Sequence, residues 1–158
     1  MGKISIKINT KGLRIAERMP TLEQKKIALK DVSTLVINRM TQRIHIRGEK
    51  AAGGPIGTYS DKYMKVREKA NRTEPKTPVI LALTDQLYRS WTTVATDRGY
   101  GVGFGGAKRL DEDISNAELV GYLRVRYPGT FILSDEEKTE AVDYIKELYL
   151  EAITGKTS

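Results

Sequence analysis

Apolar and polar residues alternate strictly over 3–8, "KISIKI", and place Ile4, Ile6 and Ile8 on one side of a half-buried strand. Pro20 closes the segment that follows, and Thr21 is positioned to cap a helix through its side-chain oxygen. Ala28, Leu29, Val32, Leu35, Val36, Met40 and Ile44 then recur at three- and four-residue steps, the spacing of one amphipathic helix over about 21–46. Gly48 is a suitable stop. Between 48 and 78 the periodicity fades. Gly53, Gly54 and Gly57 with Pro55 predict a loop, Ser60 can cap a short helix, and "NRTEPKTP" reads as a linker.

The centre of the chain, "PVILALTDQLYRSWTTV" (78–94), reads as strand, polar turn, strand, with the turn at Thr84-Asp85-Gln86. Tyr100, Val102 and Phe104 alternate with glycines, as in a strand whose second face is bare backbone. "ELVGYLRVRY" (118–127) alternates again and predicts a further strand, with Arg124 and Arg126 on one face. Ser134 and Glu137 then form an S-x-x-E box that opens a last helix, whose stripe is Val142, Ile145, Leu148, Tyr149 and Ala152. The order predicts an α+β fold: an antiparallel β-meander packed with a long N-terminal helix and a C-terminal helix. The whole chain, 1–158, reads as a single domain in which 48–78 is a mobile loop or arm.

Composition narrows the chemistry. With no cysteine, thiolate metal sites, thiol nucleophiles and disulfides are excluded. His45 is the single histidine, so clusters of imidazoles and Ser–His triads lack their parts, and a structural role is expected for it. The glycines of "RGYGVGFGGAKR" alternate within a strand instead of joining a strand to a helix, and Gly106 is followed by Ala-Lys-Arg, so neither phosphate-binding fingerprint is met. Asp111, Glu112 and Asp113 lack calcium-loop spacing and read as a solvated turn. No cofactor, no metal and no catalytic residue is therefore expected. No apolar run has the length of a membrane span, and the N-terminus lacks a signal-peptide core, so a soluble cytoplasmic product is expected. The net charge of +7 is spread along the chain, without a block of basic residues.

The central cassette resembles a segment of tailed-bacteriophage tail-completion and virion-morphogenesis proteins, where a leucine-rich stretch meets a Thr-Gly-x-Leu-x-x-Ser turn. Thr84, Leu87 and Ser90 match it, followed by Trp91, while Asp85 replaces the glycine. "YPGTFILSDEEK" is similar to that family's Pro-Arg-Pro-Phe-Leu-Gly-like approach to a Glu-rich final helix, through Pro128, Phe131 and Leu133. The family's frequent His-x-x-Gly is absent. The resemblance implies a structural virion protein, not an enzyme: a ring at the neck or head-proximal tail end, six copies favoured and twelve second. It implies contacts with neighbouring neck or connector proteins and with tail-tube or tail-terminator proteins, and DNA only as passing cargo. Assembly would occur in the host cytoplasm. On this reading Ile4, Ile6, Gly53, Gly54, Tyr59, Tyr63 and Arg67 are candidate interface or arm residues, and Arg124 and Arg126 line the lumen or pair across subunits.

Two other readings compete. In a basic nucleic-acid-binding domain, Lys62, Lys65, Arg67, Lys69 and Arg72 would meet phosphates. A small enzyme acting on phosphates through Arg124 and Arg126 would lack an accompanying acid–base pair.

Overall fold

The computed structural model describes residues 20–81, 86–97, 99–105 and 114–155. The predicted strand carrying Ile4 and Ile6, the turn residues Thr84 and Asp85, and the acids 111–113 lie outside these residues. The fold is α+β, with a long N-terminal helix and a C-terminal helix as expected.

Helix α1 (Leu22–Thr41) starts where Thr21 predicts. The Thr21 side chain accepts from the Gln24 amide at 3.2 Å, and the Gln24 side chain accepts from the Thr21 amide at 2.8 Å. The helix widens into a π-helical segment, Gln42–Arg47, and ends at Gly48, which is left-handed with φ +66°. Gly48 is required twice over, because a Cβ there would lie 2.7 Å from the Pro78 ring. Ser60 caps α2 (Asp61–Lys69) as predicted, and α3 (Gln86–Arg89) is a single helical turn. Strands β1 (Trp91–Thr96) and β2 (Gly99–Phe104) form an antiparallel hairpin in which Trp91 faces Phe104 and Thr96 faces Gly99.

Two expectations are corrected. The cassette 78–94 is not strand–turn–strand: Val79, Ile80 and Leu81 are irregular, and α3 precedes β1. The predicted strand at 118–127 is instead a helix, α4 (Asn116–Arg126), opened by a second capping box between Ser115 and Glu118. The sheet of the described residues therefore has two strands, not a meander. On a helix, residues two apart point about 200° away from each other. Arg124 and Arg126 thus do not share a face.

Helix α5 (Asp135–Thr154) begins at the predicted Ser134–Glu137 box and packs along α1. One core runs through all elements. α1 supplies Val32, Val36 and Met40, the hairpin Trp91 and Val102, α4 Val120, the 131–133 segment Phe131 and Leu133, and α5 Ala141 and Ile145. The hairpin lies against α1 so closely that a Cβ on Gly99 (φ +130°) would meet Leu29 Cδ1 at 2.5 Å. The missing side chain at Gly99 thus lets the hairpin close on a helix of the same chain. No helix among the described residues is long and apolar enough to cross a membrane.

Candidate functional site

The π-helical segment buries three consecutive residues, Arg43, Ile44 and His45. An isolated helix face cannot do that at about 100° per residue. Here other parts of the chain cover more than one face of the segment, while Gln42, Ile46 and Arg47 stay exposed. Arg43 points toward α5 and uses all five of its N–H donors. Nε and Nη2 reach the Glu137 oxygens at 2.7 and 3.1 Å. The remaining bonds go to the carbonyls of Glu49 (3.1 Å), Thr130 (3.1 Å) and Ile132 (2.7 Å). Glu137 also accepts from the Ser134 amide at 2.8 Å, so a single carboxylate caps α5 and neutralises the buried guanidinium.

His45 faces the other way, into the family-like motif. Trp91 Nε1 donates to His45 Nε2 at 3.1 Å; indole nitrogen is only a donor, so this imidazole nitrogen carries no proton. Trp91 also stacks on Phe104, with centroids 4.0 Å apart, and approaches Phe131 at 6.4 Å. Leu87 is buried, and Ser90 closes the turn by donating its hydroxyl to the Leu87 carbonyl at 2.6 Å. The Ser90 carbonyl in turn receives the Gly105 amide at 2.7 Å, which aligns the end of β2 with the start of β1. The described part of the motif is therefore an internal joint between π segment, hairpin and core.

The arm residues divide. Gly53 (φ +84°) and Gly54 (φ +75°) are exposed at the tip of a small loop closed by the Glu49–Pro55 bridge. Tyr63 is partly exposed on α2. Tyr59 and Arg67 are corrected as candidate contact residues, since they are only 4 % and 0 % exposed. The Arg67 guanidinium lies 4.5 Å over the Tyr59 ring, donates to its hydroxyl at 3.2 Å and reaches Glu74 at 2.9 Å. The same phenol oxygen accepts the Ile80 and Leu81 amides at 3.1 and 3.2 Å, tying the end of the 48–78 segment to its middle. Burial raises the Tyr59 hydroxyl above its usual range, against the opposing pull of those amides and Arg67. Burial also pushes the Glu74 carboxyl up, but its own backbone amide and the two arginines, Arg67 and Arg72, bring it below the usual range. Of the five basic residues considered for phosphates, Arg67 and Arg72 are thus committed to Glu74, whereas Lys62, Lys65 and Lys69 are exposed.

A groove of about 1170 Å³ runs between α1 and α5, floored by the Arg43–Glu137 pair. Arg39, Arg47 and Lys50 form one wall; Glu136, Glu140, Asp143 and Glu147 form the other. Arg39 bridges the walls by pairing with Glu140. Elsewhere, α4 turns Tyr122 and Val125 into solvent, 66 % and 85 % exposed, with Arg124 and Arg126 beside them. Sequence reasoning singled out these arginines but not the exposed apolar pair beside them, because a strand reading set Tyr122 with the arginines and Val125 on the opposite face with Leu119 and Leu123. No group of acids, with or without histidine, is arranged to hold a metal ion among the described residues. No family model, curated protein or solved structure matches the chain.

Proposed function

We propose that the chain is a structural subunit of the neck or head-proximal tail end of a tailed phage, where copies close into a ring that completes the tail and joins it to the head. The observation that carries this reading is the outward face of α4. Val125 at 85 % and Tyr122 at 66 % exposure lie one helical turn apart on this face, and contiguous apolar surface of this kind is what association removes from water. The resemblance around Thr84, Leu87 and Ser90 supplies the location. The architecture supports the reading in a second way: the motif's Ser90 and Trp91, and the buried ions Arg43, Glu137 and Arg67, are spent on holding elements together. Such a subunit is a rigid block with two differing outer surfaces.

A head-to-tail interface closes only at a fixed rotation. Six copies follow from the sixfold symmetry of tails, and twelve is the second choice. Neighbouring connector and tail proteins would stack above and below, with DNA passing through. The test is a reconstruction of the particle. Density for this chain as a ring on the head–tail axis is the expected result, and its absence from the axis overturns the reading.

A further inference from the structure

Val125 stands at the centre of the solvent-facing side of α4. At about 100° per residue, Gly121 and Tyr122 lie beside it, and Arg124 and Arg126 fall on its two flanks. Space around Gly121 is open, with nothing within 4 Å of a Cβ placed there, so a second backbone can come close. Neither arginine pairs with a carboxylate of the described residues; Arg126 lies over Tyr127 at 5.6 Å and donates to its hydroxyl at 3.2 Å. This is an apolar centre with a cationic rim.

Helix α5 carries the complement. Glu136, Glu140, Asp143 and Glu147 follow one another at i, i+4, i+7 and i+11, and fall within roughly 60° of arc. Arg39 pairs with Glu140 and Lys146 with Asp143, but Glu147 meets no cation among the described residues. Like charges four apart on a helix repel; Arg39 and Lys146 of the same chain offset part of that repulsion, and cations from outside would offset the rest at Glu147. α4 packs on β2, whereas α5 packs on α1, so the two surfaces are carried by different helices with different supports. A contact of either face with itself would set arginine on arginine or carboxylate on carboxylate. The charges match only where the α4 face meets the α5 stripe, once in a head-to-tail contact or twice in a two-fold one. The head-to-tail form is the one that a ring needs.

We infer that the α4 face of one subunit docks on the acidic stripe of α5 in the next copy. Tyr122 and Val125 lie along the α5 side of the groove, away from the wall of Arg39, Arg47 and Lys50, and Arg124 and Arg126 meet Asp143 and Glu147. The inference rests on the ring reading for closure, but not for the contact itself.

The chain has no cysteine, so single introduced thiols report the contact directly. Full-length Val125→Cys and Glu147→Cys proteins are oxidised separately and as a mixture, at high protein concentration and low salt. The expected result is a mixed disulfide dimer in the mixture and little adduct in either protein alone. Adding Arg124→Glu and Arg126→Glu to the first protein should abolish the adduct. Adding Asp143→Lys to the second should then restore it. A Val125→Cys homodimer, or no adduct in the mixture, overturns the inference. A chain carrying both cysteines separates the two readings by electron microscopy. Closed rings without the cross-link overturn this interface and leave the ring, whereas cross-linked open filaments uphold the interface and overturn the ring.

Discussion

Arg43 and Glu137, 94 residues apart, meet as a buried fork in which Nε lies 2.7 Å from Oε1 and Nη2 lies 3.1 Å from Oε2. The pair locks the end of the first long helix to the start of the last. Because Arg43 also holds three loop carbonyls, the floor of the groove and the 130–132 segment depend on the same side chain.

Removing one partner of a buried, fully bonded ion pair leaves the other charge stranded. Arg43→Ala and Glu137→Gln should each cost about 3–5 kcal/mol. Arg43→Lys should also destabilise, since one ammonium cannot replace a five-donor fork. Urea unfolding checks this, through a lower midpoint at unchanged slope.

The helix start and the core can be weighed against each other on α5. Ile145→Ala removes a buried side chain and should cost about 2–5 kcal/mol. Ser134→Ala removes the bond to the Glu137 amide at 3.1 Å and should cost about 0.5–2 kcal/mol. The Ser134 and Arg43 substitutions should not add, because both act on Glu137. A near-neutral Ile145→Ala would mean that the helix packs on another face.

The two long helices and their caps were legible because their signals are local: a cap residue, its partner three positions on, and a periodic stripe. α4 carried such a signal too. Ser115 and Glu118 form the same S-x-x-E box as Ser134 and Glu137, and Leu119, Val120 and Leu123 recur at helical steps. The strand reading won on paper because valines and tyrosine alternate there with polar residues, and a short run satisfies both periods. Arg43 and Arg67 could not be found this way. Each is buried only because chain outside its own helix comes to meet it: carbonyls at 49, 130 and 132 in one case, Tyr59 and Glu74 in the other. The apolar face of α4 became visible only once the helix turned Tyr122 and Val125 away from the core.

The hairpin should be equally sensitive at its tip. Gly99→Ala forces a Cβ into a left-handed position and against Leu29 Cδ1, and should cost about 1–3 kcal/mol. Leu29→Ala in the same chain should recover the steric part and leave the backbone part. A double-mutant cycle in thermal unfolding separates the two.

Acid should loosen the 59–81 region through Glu74. Its folded carboxyl is held below the usual range, so its contribution is full above that range and is lost as pH falls through the folded value. Glu74→Gln should therefore destabilise the protein at neutral pH, with the difference from the unaltered chain shrinking as the solution becomes acidic. A constant difference across the acid limb would show that the Glu74 charge contributes nothing.

The 48–60 segment should show graded protection and not behave as one free arm. Gly53 and Gly54 sit at an exposed tip, in left-handed conformations that lose much entropy on ordering. Ile56 and Tyr59 are buried, and their amides donate to the Gly48 and Lys76 carbonyls at 2.7 and 3.0 Å. Hydrogen exchange on the isolated subunit should thus be fast at 52 and 54 and slow at 56 and 59. In the ring, any gain in protection should be confined to the tip, because Ile56 and Tyr59 already belong to the core. Uniformly fast exchange across 48–60 would mean that Tyr59 and Arg67 leave the interior in the free subunit, and that their pairing forms only on assembly.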